Sequence, residues 1–285
     1  MSGSNDREAM SARPVPPSFA AGAVRVFGLS LGEMLWSRRT VFLLLVTGAP
    51  VFLALVARVV QGSGVVPVRL NGAAVDGGSI FGMMIWVFFL RFIVPVLGVF
   101  YGTSLIADEV EERTLTYLFT RPIRRGAVLV GKYLAYIVST TLVVLPSVVL
   151  VYFLLVPLGQ VARTFVAFAA DLGLLALGLA AYGALFALVG AALKRPLVSG
   201  LVFVFGWEQI ALLVPGYLKR FTVAHYVQGL VPHAMPSEGV ASVLQSVLRD
   251  NPPALVCILA LAAVVVATLW FGVKAVESRE YVLDQ

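Results

Sequence analysis

Charge is what this sequence has least of. Only 13% of its 285 residues are Asp, Glu, Lys or Arg, while 60% are hydrophobic. A soluble domain carries roughly 25% charged residues. The deficit excludes a water-soluble enzyme, and the long apolar runs exclude intrinsic disorder. Cysteine is nearly absent. The single Cys257 lies in an apolar run and reads as a packing residue, because one cysteine allows neither an internal disulfide nor a cysteine-based metal cluster. Histidine is equally scarce. His225 and His233 lack clustered cysteine or carboxylate neighbours in sequence, so a metal site has no support. Polar sequence long enough for a sizeable soluble domain is missing as well, so any ATPase or ligand-binding domain is expected on another chain.

What is present is a series of six apolar blocks, each near the roughly 20 residues that cross a bilayer as a helix. They predict an all-α integral membrane protein with six transmembrane helices, at about 40–60, 80–107, 127–156, 164–193, 197–214 and 254–273. Block 80–107 has 28 residues, about 42 Å of helix against roughly 30 Å of hydrocarbon, so it must tilt or project. Pro146 predicts a kink in the third span. The fourth, rich in Gly and Ala, predicts close helix packing. The span domain thus covers 39–275. Residues 1–22 read as a flexible cytoplasmic tail without signal-peptide order, and 23–38 as an amphipathic helix lying in the interface. Residues 61–79 read as a Gly-rich loop, 215–253 as a long outer segment with short amphipathic pieces, and 276–285 as a polar tail.

The net charge of +6 follows topology. With both termini cytoplasmic, the inner segments hold Arg7, Arg13, Arg25, Arg38, Arg39, Arg113, Arg121, Arg124, Arg125, Lys132, Lys194, Arg195, Lys274 and Arg279. The outer segments hold only Arg58, Arg69, Arg163, Lys219, Arg220 and Arg249. This excess of inner basic residues predicts N-terminus in and C-terminus in. A nucleic-acid partner is therefore not expected, and membrane lipid is. Trp207, Tyr217, Phe221 and Tyr226 fit an outer aromatic belt.

Three ionisable residues fall inside spans: Arg91, Asp171 and Glu208. Each costs roughly 2.5–3.5 kcal/mol on insertion scales and is expected to face protein or water. Two readings stay open. Arg91 pairs with Asp171 or Glu208 and fixes helix register, or the three line a path or an outer gate.

The segment from Asp108 to Lys132, DEVEERTLTYLFTRPIRRGAVLVGK, is the most informative. An acidic cluster precedes Leu115, Leu118 and Phe119 at helical spacing, and Arg121-Pro122 then stops the helix. The pattern predicts a short amphipathic helix at the membrane face, with an apolar patch rimmed by charge that suits a partner. A solvated loop obeying the positive-inside rule is the plainer alternative.

These residues resemble the membrane subunits of type-two ABC transporters, the exporter-like permeases. The matching positions are Glu109, Arg113-Thr114-Leu115, Leu118, Thr120-Arg121-Pro122-Ile123-Arg124-Arg125 and Gly131-Lys132. Arg113 stands where glycine is common in that family. The six-span plan, the N-terminal helix and the long segment before the last span extend the similarity. The resemblance implies a cytoplasmic coupling helix between spans two and three. Glu109, Glu112, Arg113, Thr114, Leu115, Leu118, Phe119, Arg121 and Pro122 would form the surface that docks on a separate ATP-binding cassette ATPase. It also implies a second permease subunit, as a homodimer or heterodimer, and a bacterial inner-membrane location. The chain itself would have no catalytic site, cofactor or metal, and ATP and magnesium would sit on the partner.

One near-match is set aside. Gly126 to Tyr133 resembles the phosphate-binding loop G-x-x-x-x-G-K-S/T, but Tyr133 replaces the compact hydroxyl, no strand precedes it, and the run opens a span. An intramembrane enzyme is disfavoured because both histidines lie outside the spans and Asp171 is the only aspartate within one. An ion-coupled secondary transporter using Arg91, Asp171 and Glu208 remains an alternative, as does a non-transporting scaffold within an ABC complex.

Overall fold

Helices dominate because an apolar chain in lipid must satisfy its backbone hydrogen bonds within each segment. The computed structural model describes residues 18–62, 69–70, 73–74, 77–111, 124–214, 217–231 and 252–278. The chain enters α1 (Phe19–Leu35), whose first turn is capped by Ser18 Oγ accepting from Ala21 N at 3.3 Å. This cap starts the helix ahead of Ala23, where the apolar pattern begins to be readable. A tight bend at Trp36-Ser37 leads to α2 (Arg38–Gly62), with Thr40 Oγ1 donating to Met34 O at 2.6 Å. Two short strands are described in the Gly-rich connection. Arg69–Leu70 (β1) and Ala73–Ala74 (β2) pair antiparallel, with Arg69 opposite Ala74 and Leu70 opposite Ala73.

Then come α3 (Gly77–Ala107), whose last turns run on as Ser104–Glu111, α5 (Arg125–Leu155) and α6 (Val161–Ala192); the Ser104–Glu111 stretch is α4. A shorter apolar helix, α7 (Pro196–Leu212), is followed by the small helix α8 (Val223–Gly229) and by α9 (Ala254–Ser278). Among the described residues, five helices are long and apolar enough to cross a bilayer: Arg39–Gly62, Gly77–Ala107, Arg125–Leu155, Leu158–Ala192 and Ala254–Ser278. The remaining predicted span, α7, measures about 26 Å at the helical rise and falls short of a crossing by length alone. Pro146 lies inside α5, which runs on as one helix.

The antiparallel run gives the bundle two ends. At the proximal end α2 begins, α3 finishes, α5 begins and α9 finishes; the distal end holds the start of α3 and the end of α5. Arg39 Nη1 donating to Ser104 Oγ at 2.6 Å marks the first, and Gly77 packed on the Leu155 carbonyl marks the second. Helices α3 and α6 form the centre, 61% and 56% buried over their most apolar windows, whereas α2 (22%) and α9 (11%) are peripheral. Residues such as Leu45, Phe52, Leu259 and Val266 therefore point outward, where lipid replaces water.

Small residues let the central helices approach. A Cβ on Gly98 would sit 2.7 Å from Tyr182 Cβ, and one on Gly102 would sit 2.8 Å from Phe186 Cβ. Gly190 lies against the Thr103 carbonyl, and Gly183 accommodates the Tyr136 ring. The Gly and Ala of the fourth apolar block are thus spent on helix contact. Tyrosines add polar ties between α5 and α6: Tyr133 OH donates to Ala180 O at 2.9 Å and Tyr136 OH to Leu179 O at 3.1 Å. At the distal end Tyr152 stacks on Phe168 with centroids 4.0 Å apart. Helix α1 buries Gly22, Ala23, Val26 and Ser30, one face at helical spacing, and rests on α5.

Candidate functional site

Two of the three intramembrane charges line one place. Arg91 on α3 and Glu208 on α7 border a small cavity of about 10 Å³ together with Trp86, Tyr182, Gln209, Ala224 and Gln228. That is room for about one water. Both charged residues belong to widened helical turns. Arg91 lies in the π-helical stretch Ile85–Ile93, and Glu208 comes directly after the π-helical stretch Phe203–Trp207. Such turns rotate side chains off the α-helical register and recur at functional sites.

The hydrogen bonds distribute the charges. Tyr182 OH donates to Glu208 Oε2 at 2.7 Å, and Ala224 N donates to Glu208 Oε1 at 3.3 Å. Arg91 Nη2 donates to Gln209 Oε1 at 2.5 Å, and the guanidinium lies 5.6 Å from the Trp86 ring centroid. Gln209 Nε2 in turn donates to Val204 O at 3.4 Å, five residues back along the widened turn. Glu208 is 2% exposed, so these bonds replace the water its carboxylate would otherwise hold. The guanidinium thus bonds the amide beside Glu208, while Glu208 itself is held by Tyr182 and the α8 backbone. The arrangement ties α3, α6, α7 and α8 together through two adjacent side chains of α7.

Asp171 is elsewhere. It is fully buried on α6, eleven residues before Tyr182 and so about 16 Å away along the axis, and it does not line the cavity. Sequence reasoning considered only ionisable groups and so passed over Tyr182 and Gln209. The Glu208-Gln209 pair in an otherwise apolar block was the available signal. His225 is buried in α8, with its backbone N–H on Thr222 Oγ1 at 3.3 Å and its ring edge-on to Tyr226. Cys257 is buried against Gly229.

The second candidate region is the proximal connection from α4 to α5. The backbone of Glu109 lies in α4 (Ser104–Glu111). Glu112, Arg113, Thr114, Leu115, Leu118, Phe119, Arg121 and Pro122 lie outside the described residues, so the predicted coupling helix does too. The frame around it is described. Helix α4 packs against α5 and α6, and Arg124, with extended backbone, leads into α5. The Gly126–Lys132 run forms the first turns of α5. A Cβ on Gly131 would meet Ala23 O at 2.5 Å and Val26 Cβ at 2.9 Å, and one on Gly126 would meet Val273 Cγ1 at 2.6 Å. These glycines admit α1 and α9, so the run is an occupied helical face and no phosphate-cradling loop.

In comparisons with known proteins, the family model described as ABC-2 family transporter protein matches residues 12–275. No curated protein matches the chain.

Proposed function

We propose, from the premise that this chain belongs to the ABC-2 family of transporter proteins, that it is the membrane-spanning permease subunit of an ATP-driven transporter. The family match across residues 12–275, together with five helices of membrane-crossing length and composition among the described residues, carries this reading. A separate ATP-binding cassette subunit supplies the hydrolysis, with ATP and magnesium bound there. The proximal end is cytoplasmic, in keeping with the basic residues gathered at it. Helix α7 completes a sixth crossing together with the next elements along the chain, Tyr217–Phe221, which packs on α7 and α8, and α8 itself, which packs on α3, α6 and α9. Two such permease chains make the pore of the working transporter in a bacterial inner membrane.

Segment 109–122 transmits the motion. Its apolar residues Leu115, Leu118 and Phe119 dock in the ATPase, and Glu109, Glu112, Arg113, Thr114, Arg121 and Pro122 orient and end the docking helix. The described frame supports transmission. Helix α4 continues directly from α3, the most buried helix, so a displacement of the segment pushes on the centre of the bundle. Within the bundle, Arg91 with Gln209 and Glu208 with Tyr182 act as a register lock that joins α3 and α6 to α7.

The test is purification of the tagged chain from its native membrane in mild detergent. An ATP-binding subunit is expected at equal stoichiometry, and Glu109→Ala with Leu115→Ala and Leu118→Ala is expected to lose it. If no ATPase accompanies the chain in several detergents, the coupling reading is wrong, and an ion-gradient mechanism built on the buried charges takes its place.

A further inference from the structure

A second and larger cavity, of about 560 Å³, opens at the proximal end between the start of α2, the end of α3 and the α6–α7 turn. Its volume falls in the range of small-molecule sites. Three cations line it, Arg39, Lys194 and Arg195, and among the described residues no carboxylate does. Arg39 is held in place. Its Nη1 donates to Ser104 Oγ at 2.6 Å, Ser104 Oγ donates to Tyr101 O at 2.9 Å, and Tyr101 OH donates to Arg39 O at 2.8 Å. The guanidinium is therefore anchored at the wall before any ligand arrives, which lowers the entropy cost of binding.

Apolar side chains line the cavity beside these cations on the same elements. Phe42 and Phe100 lie with ring centroids 5.0 Å apart, and Leu197 and Val198 are 40% and 57% exposed. The outward face of α2 continues this surface through the exposed Val41 and Leu45. A soluble anion would use the cations and leave these apolar side chains uncovered. An amphiphile would use both. Basic pockets between membrane helices, level with the headgroups, bind anionic lipid by this division of labour.

We propose that this cavity is a binding site for the phosphate headgroup of an anionic membrane lipid, with Arg39, Lys194 and Arg195 around the phosphate and the acyl chains along Phe42, Phe100 and the α2 face. The site depends only on the chain being embedded in a membrane and stands apart from the ATPase reading.

Native mass spectrometry of the full purified chain, offered phosphatidylglycerol or phosphatidylcholine, tests it. The wild type is expected to retain about one phosphatidylglycerol per chain and no phosphatidylcholine. Removing two headgroup-level cations in Lys194→Gln with Arg195→Gln is expected to weaken retention about 30-fold. The charge-preserving pair Lys194→Arg with Arg195→Lys is expected to keep it. Lys274→Gln, a neutralisation at the same end but outside the cavity, is expected to leave it unchanged. Equal retention of both lipids, equal loss with Lys274→Gln, or no loss with the double neutralisation would overturn the site. Displacement of the lipid by inorganic phosphate at millimolar concentration would overturn the lipid assignment in favour of a soluble anion.

Discussion

The Tyr182 hydroxyl donates to the Glu208 carboxylate at 2.7 Å, joining α6 to α7 inside the bundle. The contact helps to register two helices of a membrane protein, and both partners are almost fully buried. Loss of the hydroxyl in Tyr182→Phe removes one of the carboxylate's partners without opening a cavity. The expected cost is about 1–2 kcal/mol, near the upper end measured for hydrogen bonds between membrane helices. The midpoint of heat-induced aggregation in detergent should fall accordingly, while Tyr133→Phe, whose hydroxyl donates to the neutral Ala180 carbonyl, should cost less. Equal shifts for the two variants would show that the Glu208 carboxylate adds nothing to the contact.

Arg91 and Gln209 should couple energetically. In a cycle of Arg91→Ala and Gln209→Ala, the double variant should be less destabilised than the sum of the singles, by about 0.5–3 kcal/mol. The cycle of Arg91→Ala with Asp171→Asn should add, because Asp171 sits about 16 Å along α6 from the cluster level. A coupled Arg91–Asp171 cycle would contradict the observed geometry.

The glycines of α1 and α5 should separate by contact. Gly131→Leu drives a side chain into the α1 backbone at Ala23 and should cost about 1–3 kcal/mol, loosening α1 and speeding tryptic cleavage after the already exposed Arg25. Gly28→Ala lies on the same helix α1 with nothing within 4 Å of the new Cβ, and should be neutral or stabilising by up to about 1 kcal/mol. Limited proteolysis of the two variants checks both. Fast cleavage of Gly28→Ala would show that α1 is not held by its buried face on α5.

Sidedness is testable at two turns. In a Cys257→Ala background, a cysteine from Gly159→Cys in the turn before α6 should react with a membrane-impermeant maleimide in spheroplasts. One from Lys194→Cys at the proximal end should react only after permeabilisation. The reverse pattern would invert the bundle and place the coupling segment outside the cell.

The apolar blocks were legible because each helix in lipid must be a continuous hydrophobic run, so composition alone marks its position. Block 197–214 was harder. Its helix α7 is short, and the chain then returns through Tyr217–Phe221, against α7 and α8, and through α8, against the bundle, with Lys219 and His225 buried. A polar, proline-flanked stretch gives no hydropathy signal for that return. The Asn71-Gly72 pair between β1 and β2 is a strong hairpin signal that the high glycine content of residues 61–79 concealed. In the site, Arg91 and Glu208 stood out because charge in an apolar run is costly. Their partners did not, since the widened turns at Ile85–Ile93 and Phe203–Trp207 re-aim side chains in a way no α-helical periodicity foretells. The Gly126 and Gly131 pair, which in sequence mimics a phosphate loop, is explained by α1 and α9 lying across it.

The most direct test of the central claim is a site-specific crosslink. In the Cys257→Ala background, Leu118→Cys is labelled in native membranes with a maleimide-benzophenone reagent, whose maleimide takes the thiol and whose photoactivated ketone inserts into a C–H bond of whatever protein is docked there. A covalent adduct with an ATP-binding cassette subunit is expected, lost when Leu118→Cys is combined with Glu109→Ala and Leu115→Ala. A cysteine at that position that reacts from outside intact spheroplasts, or that crosslinks to no ATPase while the subunit is present in the membrane, would contradict the permease account.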